Sequence, residues 1–122
     1  MAALTTVELE YVIRGYHEYK RVWTPEINEM LRTQTETANS HDRYAVAVLS
    51  EELGTVGHIP RTISRLCHSF LTRGGVLQVQ VLGRRKRSDL PQGGLDVPCM
   101  LIFTGKQKLV RRLRRNVTDV KL

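Results

Sequence analysis

Cysteine is scarce in this chain, with two residues among 122, Cys67 and Cys99. That is too few for a disulfide framework, and both read as reduced, small core residues. Long apolar runs are missing too. The longest, at 45–49 and 100–103, are about a quarter of the roughly 20 residues a membrane-crossing helix needs. Residues 1–6 lack the basic region and apolar core of a secretory signal, so an intracellular setting is expected. Proline and glycine, at 4 and 9 residues, fall well short of a low-complexity composition. The length fits one small domain, with a core at about 6–105 and a basic helix or tail at 106–122.

Catalytic and metal signatures are also lacking. There is no Gly-x-Ser-x-Gly elbow, and Gly105-Lys106 has neither the upstream glycine nor the following Ser or Thr of a phosphate loop. His58, Cys67, His68 and Cys99 do not form a Cys-x-x-Cys or His-x-x-x-His pair. The expectation is a module that binds rather than reacts, with no cofactor, no metal, no membrane and no small-molecule substrate.

Acidic residues are scarce in one half only. Residues 1–60 carry 5 basic and 9 acidic side chains, a net of −4, whereas residues 61–122 carry 14 and 3, a net of +11. A field of that sign gathers phosphate-bearing partners without supplying sequence specificity. Two clusters hold most of the excess: Arg84, Arg85, Lys86 and Arg87, and the cations between Lys106 and Arg115. Either could extend a contact with a polyanion, act as a nuclear import signal, or simply be solvated.

The hydrophobic pattern is mostly that of short strands. Val7, Leu9, Tyr11 and Ile13 alternate with Glu8, Glu10 and Val12, a half-buried strand. Further strands are predicted at 29–35, 44–49, 55–59, 76–82 and 97–104, with a hairpin turn at 51–54 and exposed loops at 36–42 and 83–94. One helix stands out between them, with Ile63, Leu66, Cys67, Phe70 and Leu71 in an apolar stripe and Gly74-Gly75 at its end. A basic terminal helix places Leu109, Val110 and Leu113 on one side and arginines on the other. The fold class read from this order is mainly β with α. It is a small, OB-like or SH3-like, partly closed β-barrel of about six strands, with one central amphipathic helix and a C-terminal helix.

Two segments carry a family resemblance. The run Asn39-Ser40-His41-Asp42-Arg43-Tyr44-Ala45-Val46-Ala47-Val48, followed by Gly54-Thr55-Val56-Gly57-His58-Ile59-Pro60-Arg61 and a helix, resembles the signature of the HIRAN domain family. The resemblance extends over about 11–105. It implies an OB-like barrel and, from a member carried by a helicase-like transcription factor, capture of the 3′-hydroxyl end of single-stranded DNA.

On that resemblance, Asp42 matches the carboxylate that receives the terminal hydroxyl, an acceptor facing a donor. Tyr19 and His41 match aromatic positions that stack on bases, with Tyr16 and Trp23 as local substitutes. His58 and Arg61 match positions facing the backbone phosphates, Arg61 lying just ahead of a helix whose N-terminus favours anions. Two positions depart from the family pattern: Ser40 stands for a common proline and Glu18 for an aromatic. Each residue keeps a plainer reading beside the family one. Asp42 can cap a turn through its own backbone, His58 can be a satisfied strand-end histidine, and Tyr19 and Trp23 can be core or rim aromatics. The expected partners are single-stranded DNA and a helicase or nuclease, in the nucleus. The alternatives are a protein-interaction adaptor on the same barrel, or a binder of DNA or RNA through the basic face without end recognition.

Overall fold

In the computed structural model, residues 3–14, 23–40, 42–83, 86–87 and 95–119 are described, with backbone alone at 86, 87, 95 and 119. The first strand, β1 (Leu4–Ile13), follows the sequence alternation: Glu8 and Glu10 face solvent, Val7, Leu9 and Tyr11 are half-buried, and Ile13 is buried. After it come β2 (Met30–Thr35) and the hairpin of β3 (Val46–Ser50) and β4 (Gly54–His58). Helix α1 (Arg61–Thr72), strands β5 (Val76–Val81), β6 (Lys86–Arg87) and β7 (Leu95–Lys106), and helix α2 (Gln107–Asp119) complete the order.

The strands run β1-β7-β5-β2-β3-β4, all pairs antiparallel, with β6 beside the start of β7. Strand β7 is the spine. It pairs with β1 from Ile13↔Val97 to Leu4↔Lys106, and with β5 from Val81↔Cys99 to Val76↔Thr104. The two-residue period therefore puts Leu9, Leu101 and Val79 on one face, as it does Val7, Phe103 and Leu77. Ile63, Cys67 and Phe70 of α1, and Val110 and Leu113 of α2, cover that face. The Phe70 and Phe103 rings meet edge to face at 5.3 Å.

The sheet is not closed into a barrel; its edge strands β1 and β4 meet at a single bridge. Arg14 and His58 exchange backbone hydrogen bonds of 2.8 Å each way, joining the end of β1 to the end of β4. Gly57 explains how the chains come so close there: a Cβ on it would lie 2.8 Å from the Arg14 carbonyl oxygen.

Mainly β with α is the class observed, and the boundaries differ in instructive ways. Strand β3 begins at Val46, because Tyr44 is drawn into the preceding turn by a bond from its N–H to Asp42. Helix α1 begins at Arg61 rather than after it, with Pro60 as its N-cap. Within 83–94, read as loop, residues 86–87 pair with Asp96 and Leu95, because β7 starts two residues earlier than its β-rich run. Gly74, at φ 96°, takes the left-handed conformation that ends α1.

Candidate functional site

Four of the segments singled out in the sequence meet at the bridge between β1 and β4: the 36–45 turn, the end of β4, the end of β1 and the first turn of α1. The turn is built by its own polar side chains. Asn39 Oδ1 accepts the Asp42 N–H at 3.1 Å, Asp42 Oδ1 accepts the Tyr44 N–H at 2.9 Å, and the Asp42 carbonyl accepts the Ala45 N–H at 3.0 Å. This is the short-range bonding that lets Asn and Asp replace ladder bonds in turns.

Asp42 does more than cap the turn. Its Oδ2 accepts the Ser64 hydroxyl at 2.9 Å, so the carboxylate is anchored on the first turn of α1. Two bonds occupy about half of the four or so acceptor positions of a carboxylate, leaving capacity for a further donor. Among the described residues no side-chain hydrogen bond caps α1 and no acidic residue lies within its first turn, and Asp42 is an anion brought to the positive end of that helix through Ser64. Arg61, the first helical residue, is exposed.

His58 is not free. Its Nε2 lies 2.7 Å from Glu36 Oε1, both side chains being about one-third exposed, and Asn39 Nδ2 donates to the same oxygen at 3.4 Å. The remaining ring nitrogen, Nδ1, is a donor only in the imidazolium if Nε2 carries the proton to Glu36. Arg14, whose backbone bridges to His58, sets its Nε 3.4 Å from Asp96 Oδ1, offsetting a carboxylate with only 6% of its side chain exposed. Lys86 pairs with Asp96 in register, which brings strand β6 to this same end of the sheet.

Arg43, Tyr44 and Arg65, which the sequence reading passed over, form a cationic cluster beside Asp42. The Arg43 and Arg65 guanidinium carbons lie 4.8 and 5.4 Å from the Tyr44 ring centre, and an Arg43 Nη2 donates to the Tyr44 hydroxyl at 2.7 Å. The His68 ring meets Tyr44 edge-on at 5.5 Å. Arg61, Arg65 and His68 fall at i, i+4 and i+7, one face of α1, a spacing that marks their common side.

Trp23 needs correcting as a stacking candidate. It is 3% exposed, and its Nε1 donates to the Glu29 carboxylate at 3.1 and 3.3 Å, which makes it a core residue with its polar handle satisfied. Tyr16, Glu18, Tyr19, His41, Arg84 and Arg85 lie outside the described residues. Both cysteines are fully buried, and burial pushes each thiol up to about 12, so neither offers a thiolate near neutral pH. Among the described residues, no three His, Cys, Asp or Glu side chains come together to hold a metal, and no helix is long and apolar enough to cross a membrane.

The comparisons with known proteins agree on this architecture. No curated protein sequence matches the chain. The crystal structure of the HIRAN domain of human HLTF is similar over 93% of this chain and 91% of its own, at 17% identity and a TM-score of 0.74. The NMR structure of the HLTF HIRAN domain in its DNA-bound conformation is similar over 99% and 94%, at 18% identity and 0.70. A protein from Lactobacillus plantarum is similar over 82% and 98%, at 16% identity and 0.56. Identities this low speak to the fold alone; the family is carried by the sequence, whose residues 6–94 match the HIRAN domain pattern. The chain belongs to the HIRAN domain family.

Proposed function

We propose that this chain is a nucleic-acid-binding module that holds single-stranded DNA by its 3′-hydroxyl end. The observation that carries the reading is the anchored carboxylate of Asp42, with acceptor capacity to spare, at the start of α1 beside Arg43, Arg61 and Arg65. A terminal hydroxyl is a donor and suits the carboxylate; the phosphates that precede it suit the arginines. A 3′-phosphate would meet Asp42 charge against charge. The DNA-bound state of the similar HLTF domain supports the same class of ligand.

In this reading the phosphates run past Arg61 and Arg65, with His58 contributing when its second ring nitrogen carries a proton. Tyr44 keeps Arg43 and Arg65 in place through its ring. Tyr19 and His41 stack on the terminal bases, and Arg84, Arg85, Lys86 and Arg87 add electrostatic reach. The module binds and leaves chemistry to a helicase or nuclease acting on the same strand, in the nucleus.

The test is fluorescence anisotropy with a labelled strand ending in a 3′-hydroxyl, competed by the same strand ending in a 3′-phosphate. The hydroxyl strand should displace the label at least tenfold better, and Asp42→Asn and Asp42→Ala should erase the preference. Equal displacement by both strands, unchanged in the variants, would sink end recognition.

One observation favours a second reading, an adaptor for a protein partner: Glu36 occupies His58 and sets a carboxylate on the expected path of the strand. Salt separates the two. A single strand held at about five phosphates loses affinity with a log–log slope of about −0.7 per contact, and an apolar protein interface changes far less.

A further inference from the structure

A dense cluster of positive charge lies away from Asp42, at the other end of α1. A groove of about 660 Å³ there runs between the end of α1 and α2, lined by the cations Arg73, Lys106, Lys108, Arg111, Arg112 and Arg115 and, among the described residues, by no carboxylate. We infer that this groove is a second nucleic-acid contact, one that grips a phosphodiester backbone without reading bases.

The helix is arranged for it. Lys108, Arg111, Arg112 and Arg115 fall at i, i+3, i+4 and i+7, so successive cations lie about 5–6 Å apart along one exposed face. Arg73 faces them from α1, its Nε bonded to Ser69 Oγ at 3.1 Å. Six like charges around one groove repel one another, and their mutual cost is relieved by a polyanion that displaces several counterions at once. Four of the six are arginines, whose planar forks take phosphate oxygens two at a time.

The same arrangement argues against a lipid surface. An interfacial helix binds by sinking its apolar face among acyl chains. In α2 that face is already used: Val110 and Leu113 are 1% and 4% exposed, and Leu109 and Val117 pack against the core. What the helix gives the groove is mainly charge, with Leu109 and Asn116 between the cations. Helix α2 also lies past residues 6–94, so the family match does not account for this surface.

The separation of the two surfaces sets a length rule. Arg61 and Arg73 bracket the length of α1, twelve residues apart, or about 18 Å. A stacked strand advances about 3.4 Å per nucleotide, so about five nucleotides are needed to span that distance. A strand of three nucleotides cannot occupy both surfaces, and one of fifteen can.

The experiment measures anisotropy of oligothymidylates of three and fifteen nucleotides with 3′-hydroxyl ends, at several salt concentrations. The proteins are the full chain, the triple variant R111Q/R112Q/R115Q, and a charge-matched control, R32Q/Q34E/Q78E, altered on exposed sheet positions. The triple variant should bind the fifteen-mer at least tenfold more weakly, with a salt slope flatter by about 2, and the three-mer as the unaltered chain does. K106Q/K108Q, with two substitutions at the start of the helix, should weaken the fifteen-mer by a smaller factor and guards against a folding defect in the triple. Equal weakening by the triple and the control would reduce the groove to net charge and overturn the inference. An unchanged fifteen-mer affinity would overturn it as well. So would phosphatidylserine vesicles that displace the fifteen-mer from the unaltered chain but not from the triple variant, which would assign the groove to lipid. The three-mer reports separately on the terminal pocket: its failure to bind would count against end recognition and leave the fifteen-mer comparison decisive for the groove.

Discussion

The Ser64 hydroxyl donates to Asp42 Oδ2 at 2.9 Å, and this bond ties the 36–45 turn to the first turn of α1. Ser64 is 3% exposed and stands next to Ile63 on the buried side of the helix, where a hydroxyl without a partner would be costly. The pairing satisfies the hydroxyl and fixes the carboxylate. Turn-capping and the proposed ligand-receiving role are therefore not rivals for Asp42: the bonds that make it a turn residue also fix its oxygens.

Ser64→Ala should expose this coupling. The variant leaves a charged acceptor one partner short, a loss of about 1.5 kcal/mol read as a lower urea midpoint with an unchanged m-value. Discrimination between 3′-hydroxyl and 3′-phosphate strands should fall by about threefold, because the carboxylate is held by one bond instead of two. Stability equal to that of the unaltered chain would mean the bond contributes nothing in solution.

Glu36→Gln should strengthen DNA binding. The glutamine oxygen can still accept from His58, but the negative charge 2.7 Å from the ring is removed from the proposed path of the phosphates. Removing one like charge at a partly exposed site is worth about 1 kcal/mol, or about fivefold in affinity, with a larger gain at low salt. A fall in affinity would instead make the His58–Glu36 pair part of the DNA-binding surface.

How far the site was legible depends on which residue is asked about. The alternation of Val7, Leu9, Tyr11 and Ile13 and the stripe of Ile63, Cys67 and Phe70 report burial directly, because a strand or helix face against a core must repeat with its own period. The segments that hold Asp42, His58 and Arg61 were legible through the paired motif, and the structure brings those segments together at one end of the sheet. Ser64 was not, since a serine on an apolar face carries no sign of the loop that will reach it. Glu36 was read as plain loop for a similar reason: its partner is 22 residues away and depends on how two strands pair. Tyr44 and Arg65 are 21 positions apart, so their stacking too is a product of the tertiary fold. For Trp23 both readings stayed open, because an aromatic two residues before a proline looks the same in sequence whether it faces a ligand or the core.

Gly57→Ala should test the bridge between the edge strands β1 and β4. The added methyl would sit 2.8 Å from the Arg14 carbonyl oxygen, which is itself bonded to the His58 N–H at 2.8 Å, so backbone has to move. The expected loss is about 1–3 kcal/mol by urea unfolding. Amide exchange should quicken at His58 ahead of the β5–β7 ladder, since the bridge opens without unzipping the spine. A uniform increase across β7 would show instead that the bridge holds the whole sheet.

The buried thiols make the fold sensitive to alkali in a direction that can be worked out. In the unfolded chain each cysteine gives up its proton near its ordinary value of 9.0, whereas burial pushes Cys67 and Cys99 up to about 12 in the fold. Above pH 9 the folded state therefore holds more protons than the unfolded one, and stability falls as pH rises. The contribution is fully present below pH 9 and is lost between 9 and about 12, at about 1.4 kcal/mol per pH unit for each thiol. Other groups titrate in this range, so the reading is the difference between variants. Cys67→Ala and Cys99→Ala will each lower stability at pH 8 by opening a small cavity, yet each should flatten the decline from pH 9.5 to 10.5 by about 1.4 kcal/mol. Urea unfolding at those pH values measures it, and parallel declines in all three proteins would mean that the thiols ionise within the fold.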